Sequence, residues 1–167
     1  MPEKTLVLLK PEALKWGIAG DIIKELSNTK LRLIGAKLIK VTPELAEKHY
    51  KAHKGKPFFG DLIKHITGHY HKENVVALVY AGENAISRVR VISGATDPSK
   101  AEPNTIRAKF GKHKVEIGVF ENVIHTSGSK EEAEEEIKLW FKPTELTEKV
   151  FETKKVSVCV EQEVWKA

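Results

Sequence analysis

The sequence predicts an α+β domain: an antiparallel four-stranded sheet with helices packed on it and a tail at the C-terminus. Three observations predict it. Apolar segments short enough for strands recur at 5–9, 31–41, 74–80 and 115–124. Stretches with helical spacing follow the first and third of them. No internal repeat or low-complexity linker divides the chain. With the additional helices set aside, the order is strand, helix, strand, strand, helix, strand.

Thr5-Leu-Val-Leu-Leu9 reads as a short buried strand, closed by Lys10-Pro11 because proline lacks the N–H that a ladder needs. Ile18, Ile22 and Leu26 recur at helical spacing, so a helix is expected from Gly17 to Ser27. Leu31 to Val41 is rich in branched apolar residues and reads as the second strand. Thr42-Pro43-Glu44 starts a helix with a capping hydroxyl, a proline at the first position and an acid in the first turn; that helix carries His49 and Tyr50. Lys54-Gly-Lys-Pro57 breaks the chain, and Phe58-Phe59 opens a helical stretch that stops near Gly68. Asn74 to Tyr80 is the third strand. Ala85, Ile86, Val89 and Ser93 mark a helix closed by Gly94. From Ala95 to Lys114 periodicity is weak, and a long functional loop is expected. Val115 to Ile124 reads as the fourth strand, interrupted at Glu121-Asn122. An acidic helix follows, burying Ala133, Ile137 and Trp140. This βαββαβ order is the ferredoxin-like plan, with helices expected on one face of the sheet. The plan hosts many activities, so function must come from residues.

The 167 residues suit one domain with a substantial core, expected at 1–142, plus an extension at 143–167 that packs on the core or on a neighbouring subunit. Composition is that of an ordinary globular protein, with 41% hydrophobic and 31% charged residues. No apolar run approaches the ~20 residues of a membrane span. The single cysteine, Cys159, cannot form an internal disulfide, which points to a reducing compartment and a cytoplasmic protein. The formal charge of +5 attracts polyanions, nucleoside triphosphates included. Its basic residues are spread along the chain rather than run together, so no specific nucleic-acid partner is expected.

The segment Asn122-Val-Ile-His125-Thr-Ser127-Gly-Ser129 leads into Lys-Glu-Glu-Ala-Glu-Glu-Glu136 and carries the chemistry. It sets a histidine at the end of an apolar run, just ahead of a helix. Imidazole can attack phosphorus near neutral pH, where much of it is unprotonated. The helix N-terminus behind it suits an anion. Ser129 and Glu132 fit a capping box, which places the helix start close to His125. The arrangement reads as a phosphoryl-accepting histidine.

This motif resembles the active-site signature of nucleoside diphosphate kinases, and the resemblance runs over about residues 4–141. It takes in Thr5 to Lys10-Pro11-Glu12, His49-Tyr50, Lys54-Gly-Lys-Pro-Phe-Phe59 and Arg90. It continues through Gly94-Ala-Thr96-Asp-Pro98, Pro103-Asn-Thr-Ile-Arg107, Asn122-Val-Ile-His125 and Glu136-Ile-Lys-Leu-Trp-Phe141. The resemblance implies ping-pong transfer of the γ-phosphate of a nucleoside triphosphate, mainly ATP, to a nucleoside diphosphate through a phosphohistidine at His125. It implies Mg2+ carried by the nucleotide phosphates, with no protein metal site. Arg90 and Arg107 have planar charged forks suited to phosphate oxygens, and Thr96 offers a hydroxyl to the same phosphates. Lys10 and Asn122 match positions that bind ribose hydroxyls and phosphate, and His53 a phosphate-side position. Phe58 matches the ring on which the base lies, and Val119 the opposite wall; stacking of this kind tolerates every base. The helical wheel leaves Glu134 and Glu136 equally placed beside the buried stripe; the resemblance selects Glu136 as the carboxylate that orients the imidazole. Tyr50 and Ser127 match positions that support the histidine and the transferred phosphate.

The match has departures. Gly128 stands where members commonly carry aspartate, with metal handling or loop order at stake. Asn104 replaces a common glycine, although asparagine tolerates positive φ. Ala108-Lys109 replaces Gly-Asp, and the stretch from Arg107 to Asn122 is longer than usual. The family forms homo-oligomers, so a hexamer is the first expectation here, with a tetramer or dimer as alternatives. The competing reading is a nucleotide-binding regulatory homologue with little turnover. His65-Ile-Thr-Gly-His69-Tyr-His71 invites a zinc reading. No carboxylate or cysteine stands among these histidines, and Gly68 breaks the helix between them, so a solvated loop is expected.

Overall fold

A computed structural model describes residues 2–113 and 118–160. Its strands are β1 (Glu3–Leu9), β2 (Arg32–Ile39), β3 (Val75–Gly82) and β4 (Ile124–Thr126). Its α-helices are α1 (Pro11–Lys15), α2 (Ala19–Ser27), α3 (Pro43–His49), α4 (Phe59–Ile66), α5 (Ala85–Ser93), α6 (Ile106–Phe110) and α7 (Lys130–Trp140). The sheet order is β2-β3-β1-β4 and every pairing is antiparallel, which is the expected ferredoxin-like topology. Among the described residues no helix is long and apolar enough to cross a membrane.

Burial explains the layering. Side chains alternate across a strand, yet Leu6, Val7, Leu8 and Leu9 of β1 are all fully buried. Leu6 and Leu8 join Ala77, Val79, Ile66, Ile137 and Trp140 in one core. Val7 and Leu9 join Leu78, Tyr80, Ile22, Leu26 and Val89 in a second. Helices therefore cover both faces, not the one face expected: α2 and α5 on one side, α3, α4 and α7 on the other. Each large aliphatic side chain so buried contributes roughly 1.5–3 kcal/mol. β1, enclosed on both faces and flanked by β3 and β4, is the fixed frame of the site.

Local chemistry sets the helix ends. Thr42 Oγ1 accepts from the Leu45 N–H, and Pro43 opens α3. Tyr50 stands just past α3, as its C-terminal cap. Ser129 Oγ accepts from the Glu132 N–H at the start of α7. Glu132 does not close the expected capping box; its Oε2 accepts from Gly128 N–H, one residue further back. Gly94 ends α5 at φ 82°, and a Cβ there would stand 2.3 Å from Thr105 Oγ1, so glycine is required on two grounds.

Three elements differ from expectation. The chain turns into α1 directly after Lys10, with Pro11 at its first position. The expected loop at 95–114 holds a 3-10 turn at Pro98–Lys100 and the helix α6. The fourth strand is shorter and later: residues 114–117 lie outside the described residues, 118–121 form no strand, and pairing with β1 starts at Ile124. Val123 adopts φ 59°, which interrupts extended backbone just before β4. His125 thus sits inside β4, opposite Leu8, rather than past its end.

Beyond α7, Val150 is buried in the first core, and Thr147 N–H donates to Ile34 O (2.9 Å). Lys37 with Glu145 and Arg32 with Glu148 add exposed ion pairs between this segment and β2. Residues 161–167 of the extension lie outside the described residues.

Candidate active site

Glu136 is one turn from the end of α7, which packs along β1, so its carboxylate reaches β4 from below. Its Oε1 stands 2.8 Å from His125 Nε2. Its Oε2 accepts from the Ser127 hydroxyl at 2.6 Å, and Ser127 Oγ in turn accepts from the Leu6 N–H at 3.1 Å. A carboxylate can only accept, so Nε2 carries the ring proton and Nδ1 is the nitrogen with a free lone pair. The ring lines a cleft of about 830 Å3.

His49 flanks His125, with ring centroids 4.4 Å apart and the planes nearly perpendicular. Trp140 Nε1 donates to His49 Nδ1 at 3.2 Å, so that nitrogen is an acceptor. Its 3.7 Å separation from Glu136 Oε1 is then a distance between two acceptors rather than an ion pair. Burial holds the His49 pKa well below its usual value, and the nearby charges of His125, Lys10 and His53 add to this. A neutral His49 keeps a positive charge away from the His125 imidazole.

The floor of the cleft is cationic. Lys10, at the β1–α1 junction, donates to Asn122 Oδ1 at 2.6 Å, and Asn122 Nδ2 donates to Thr96 O at 2.8 Å. Burial lowers the Lys10 pKa to about 8, with Glu12 opposing and Arg107 reinforcing the shift. Arg107, on α6, donates to Gly94 O (2.7 Å) and Ile124 O (3.0 Å). Burial and the charge of Arg90 bring its pKa to about 10. Buried cations of this kind are destabilising without an anion nearby, and a polyphosphate supplies one.

Every nucleotide-side residue expected from the sequence lines this cleft: Lys10, His53, Phe58, Arg90, Thr96, Arg107, Val119 and Asn122. Tyr50 and His125 line it too, while Glu136 and Ser127 act from behind His125. The Tyr50 hydroxyl, whose pKa burial raises, has no hydrogen-bond partner among the described residues. Phe58 stands at the rim, 38% exposed and 5.8 Å from the His53 ring. Sequence reasoning missed Leu62, Thr126, His113 and Phe120 in the lining. His113 stacks on Phe120 at 5.6 Å, and its Nδ1 stands 2.7 Å from Asp97 Oδ1. Only the aromatic character of that pair was a signal.

The departures resolve physically. A Cβ at Gly128 would stand 2.6 Å from Glu132 Oε2 and 3.5 Å from Arg90 Nη1, so the Glu132 side chain fills the space of a larger residue. Asn104 is not among the residues with positive φ. Ala108 and Lys109 continue α6, and Lys109 pairs with Glu25 at 2.7 Å.

The His65–His71 segment departs from the expected solvated loop. His65 is fully buried and stands 2.7 Å from Glu12, while His69 is exposed.

Residues 3–146 match the family model described as nucleoside diphosphate kinase. A nucleoside diphosphate kinase from Pyrococcus furiosus is 49% identical over 147 residues, 87% of each chain. The structure of a halophilic nucleoside diphosphate kinase from Halobacterium salinarum in complex with CDP superposes with a TM-score of 0.78 at 37% identity, over 89% of this chain and 93% of that one. A transition-state mimic of the Borrelia burgdorferi nucleoside-diphosphate kinase with bound vanadate and ADP gives a TM-score of 0.78 at 32% identity, over 92% and 93%.

Proposed function

This chain belongs to the nucleoside diphosphate kinase family, and on that premise we propose that its phosphotransfer runs through a phosphohistidine on His125 Nδ1. The single observation that carries the residue assignment is the Glu136–His125 contact, which leaves Nδ1 as the free nitrogen on a ring that lines the cleft.

Nδ1 attacks the terminal phosphorus of a nucleoside triphosphate, mainly ATP. An N–P bond forms, the bond from phosphorus to the bridging oxygen breaks, and the diphosphate leaves. A second diphosphate then attacks with a terminal oxygen, breaking the N–P bond and freeing Nδ1. Covalent catalysis turns one encounter of two polyanions into two single-nucleotide steps. Glu136 holds the ring tautomer and balances the charge of the phosphorylated ring. Lys10, Arg90 and Arg107 neutralise phosphate charge, with Thr96, Tyr50 and His53 as further donors or neighbours of the transferred group. Asn122 positions Lys10 and faces the sugar. Phe58 and Val119 hold the base between apolar walls, which accepts any nucleobase.

Among the described residues the lining of the cleft holds no carboxylate. Mg2+ would enter as part of the substrate, carried by the nucleotide phosphates. We place the reaction in the cytoplasm, in keeping with one exposed cysteine. Leu33 and Leu38, 47% and 61% exposed on the edge strand β2, favour a homo-oligomer, with a hexamer first and a tetramer or dimer as alternatives. The extension beyond 142 serves as a strap on β2.

The test is a two-step labelling experiment. Protein is mixed with γ-labelled ATP and Mg2+, freed of nucleotide, and offered GDP. Acid-labile label that chases into GTP is expected. Nucleotide binding without label on the protein would turn the weight to a regulatory homologue with little turnover.

A further inference from the structure

A second histidine–carboxylate cluster lies outside the active site. Glu12 at the start of α1 and His65 near the end of α4 are both 0% exposed, and His71 on the following loop is partly buried. One donor atom from each lies within 4.8 Å of the other two. Glu121 adds a second carboxylate, its Oε1 standing 2.8 Å from His71 Nε2. The chain brings these groups together from four places: the β1–α1 junction, α4, the loop before β3, and the segment leading to β4.

Glu12 Oε1 is accounted for, since it accepts from the Val123 N–H at 3.0 Å. Glu12 Oε2 and His65 Nε2 are 2.7 Å apart, an ion-pair distance, and neither atom has any other partner among the described residues. His71 Nε2 stands in the same relation to Glu121. Among the described residues His65 Nδ1 is also without a partner. Buried polar groups are hydrogen-bonded as a rule, and a buried carboxylate is costly unless its charge is met. Here a fully buried carboxylate oxygen, a fully buried imidazole and a partly buried second imidazole converge within 4.8 Å, and beyond these mutual contacts no other group completes them.

We propose that Glu12, His65 and His71, with Glu121 as the fourth ligand, bind one first-row divalent cation of the Zn2+ type. Two imidazoles and two carboxylates are a donor set for such an ion, which takes nitrogen and oxygen at roughly 2.0–2.2 Å. Donors on a tetrahedral ion stand roughly 3.3 Å apart, inside the 4.8 Å spread of Glu12, His65 and His71, and Glu121 reaches the set through its contact with His71. Mg2+ is excluded by its preference for six oxygens. The Trp16 ring stands edge-on to His71 at 6.2 Å and gives the site an apolar wall. The site is distinct from the catalytic histidine, but they share a strut. Glu12 fixes Val123, whose neighbours are Asn122 and Ile124, so the ion clamps the backbone that presents Asn122 to Lys10.

The test uses the full-length protein stripped with a chelator and then titrated with Zn2+, and separately with Co2+, in the presence of excess Mg2+. The expected result is one tightly held ion per chain, with intense visible Co2+ bands of a four-coordinate site and a higher unfolding temperature. His71→Asn changes a partly exposed loop residue, and it should weaken binding by roughly a hundredfold or more. His125→Ala should leave binding unchanged, because His49, His125 and Glu136 form the other cluster that could hold an ion. No tight binding, or binding that survives His71→Asn and vanishes in His125→Ala, overturns the proposal.

Discussion

His125, His49 and Glu136 form one histidine–carboxylate cluster; Glu12, His65 and His71 form another. In both, three donor atoms lie within 4.8 Å of one another. In the first, Glu136 meets the His125 N–H along its axis, Ser127 satisfies the other oxygen, and Trp140 satisfies His49. Two nitrogens are left over, Nδ1 of the accessible His125 ring and the buried Nε2 of His49. In the second, Glu12 and His65 are fully buried and His71 partly so, and beyond their contacts with one another and with Glu121 the facing atoms have no partner. The difference is one of aim rather than composition. A half-open ring whose other nitrogen is held by a carboxylate suits a nucleophile, whereas a set that is largely buried suits ligands.

That comparison can be broken most directly at its reactive end. His125→Ala should lower steady-state phosphotransfer by a factor on the order of ten thousand or more while nucleotide affinity, read by titration, stays close to that of the parent. Turnover equal to the parent would remove His125 as nucleophile. Glu136→Gln keeps the shape but presents an amide to Nε2. A fall in kcat of about a hundredfold with little change in KM is expected, and an unchanged kcat would mean that the tautomer needs no carboxylate.

The buried cluster is probed by stability. Glu12→Gln leaves an acceptor for Val123 but removes the charge facing His65, and urea unfolding of chelator-treated protein should show a loss of about 2 kcal/mol. Equal stability would mean that the two groups do not interact.

At the nucleotide side the effects are smaller. Phe58→Ala should raise KM about tenfold through lost stacking, with kcat preserved. An unchanged KM would return Phe58 to a packing role. Lys10, with its pKa near 8, is charged below that value and loses its proton as pH rises through it. KM for nucleotide should therefore climb several-fold between about pH 7 and pH 9.5, since the lost charge faces phosphate. A flat profile would mean that bound phosphate holds the proton throughout this range.

Much of the fold was legible in local chemistry. Thr42-Pro43, Ser129 and Gly94 announced their helix ends by capping and by φ, which depend on few neighbours. The cleft residues were legible because their order along the chain matched a family signature. What stayed hidden depends on distant partners. The five residues of α6 are too few to show periodicity, and the helix is held by burial of Ile106 and by the bonds of Arg107. The start of β4 is set by pairing with β1 and by the left-handed Val123, and the apolar run of 115–124 predicted neither. One residue of the reactive set, Glu136, could not be separated from Glu134 on a helical wheel; its contact with His125 decides it. His65 read as solvated because its carboxylate neighbours lie far away in sequence.

Lys10, Asn122 and Arg107 are each tethered before any ligand arrives, to Asn122, to Thr96 O, and to Gly94 O and Ile124 O. A free lysine or arginine side chain loses up to about 2 kcal/mol of rotamer freedom when it is fixed. Here that loss occurs when the chain folds, so a nucleotide freezes few protein torsions on entry. The entropy of binding then reflects mainly water and counterions released from the polyphosphate and the cationic floor, and two successive nucleotides meet the same rigid cradle in each turn of the reaction.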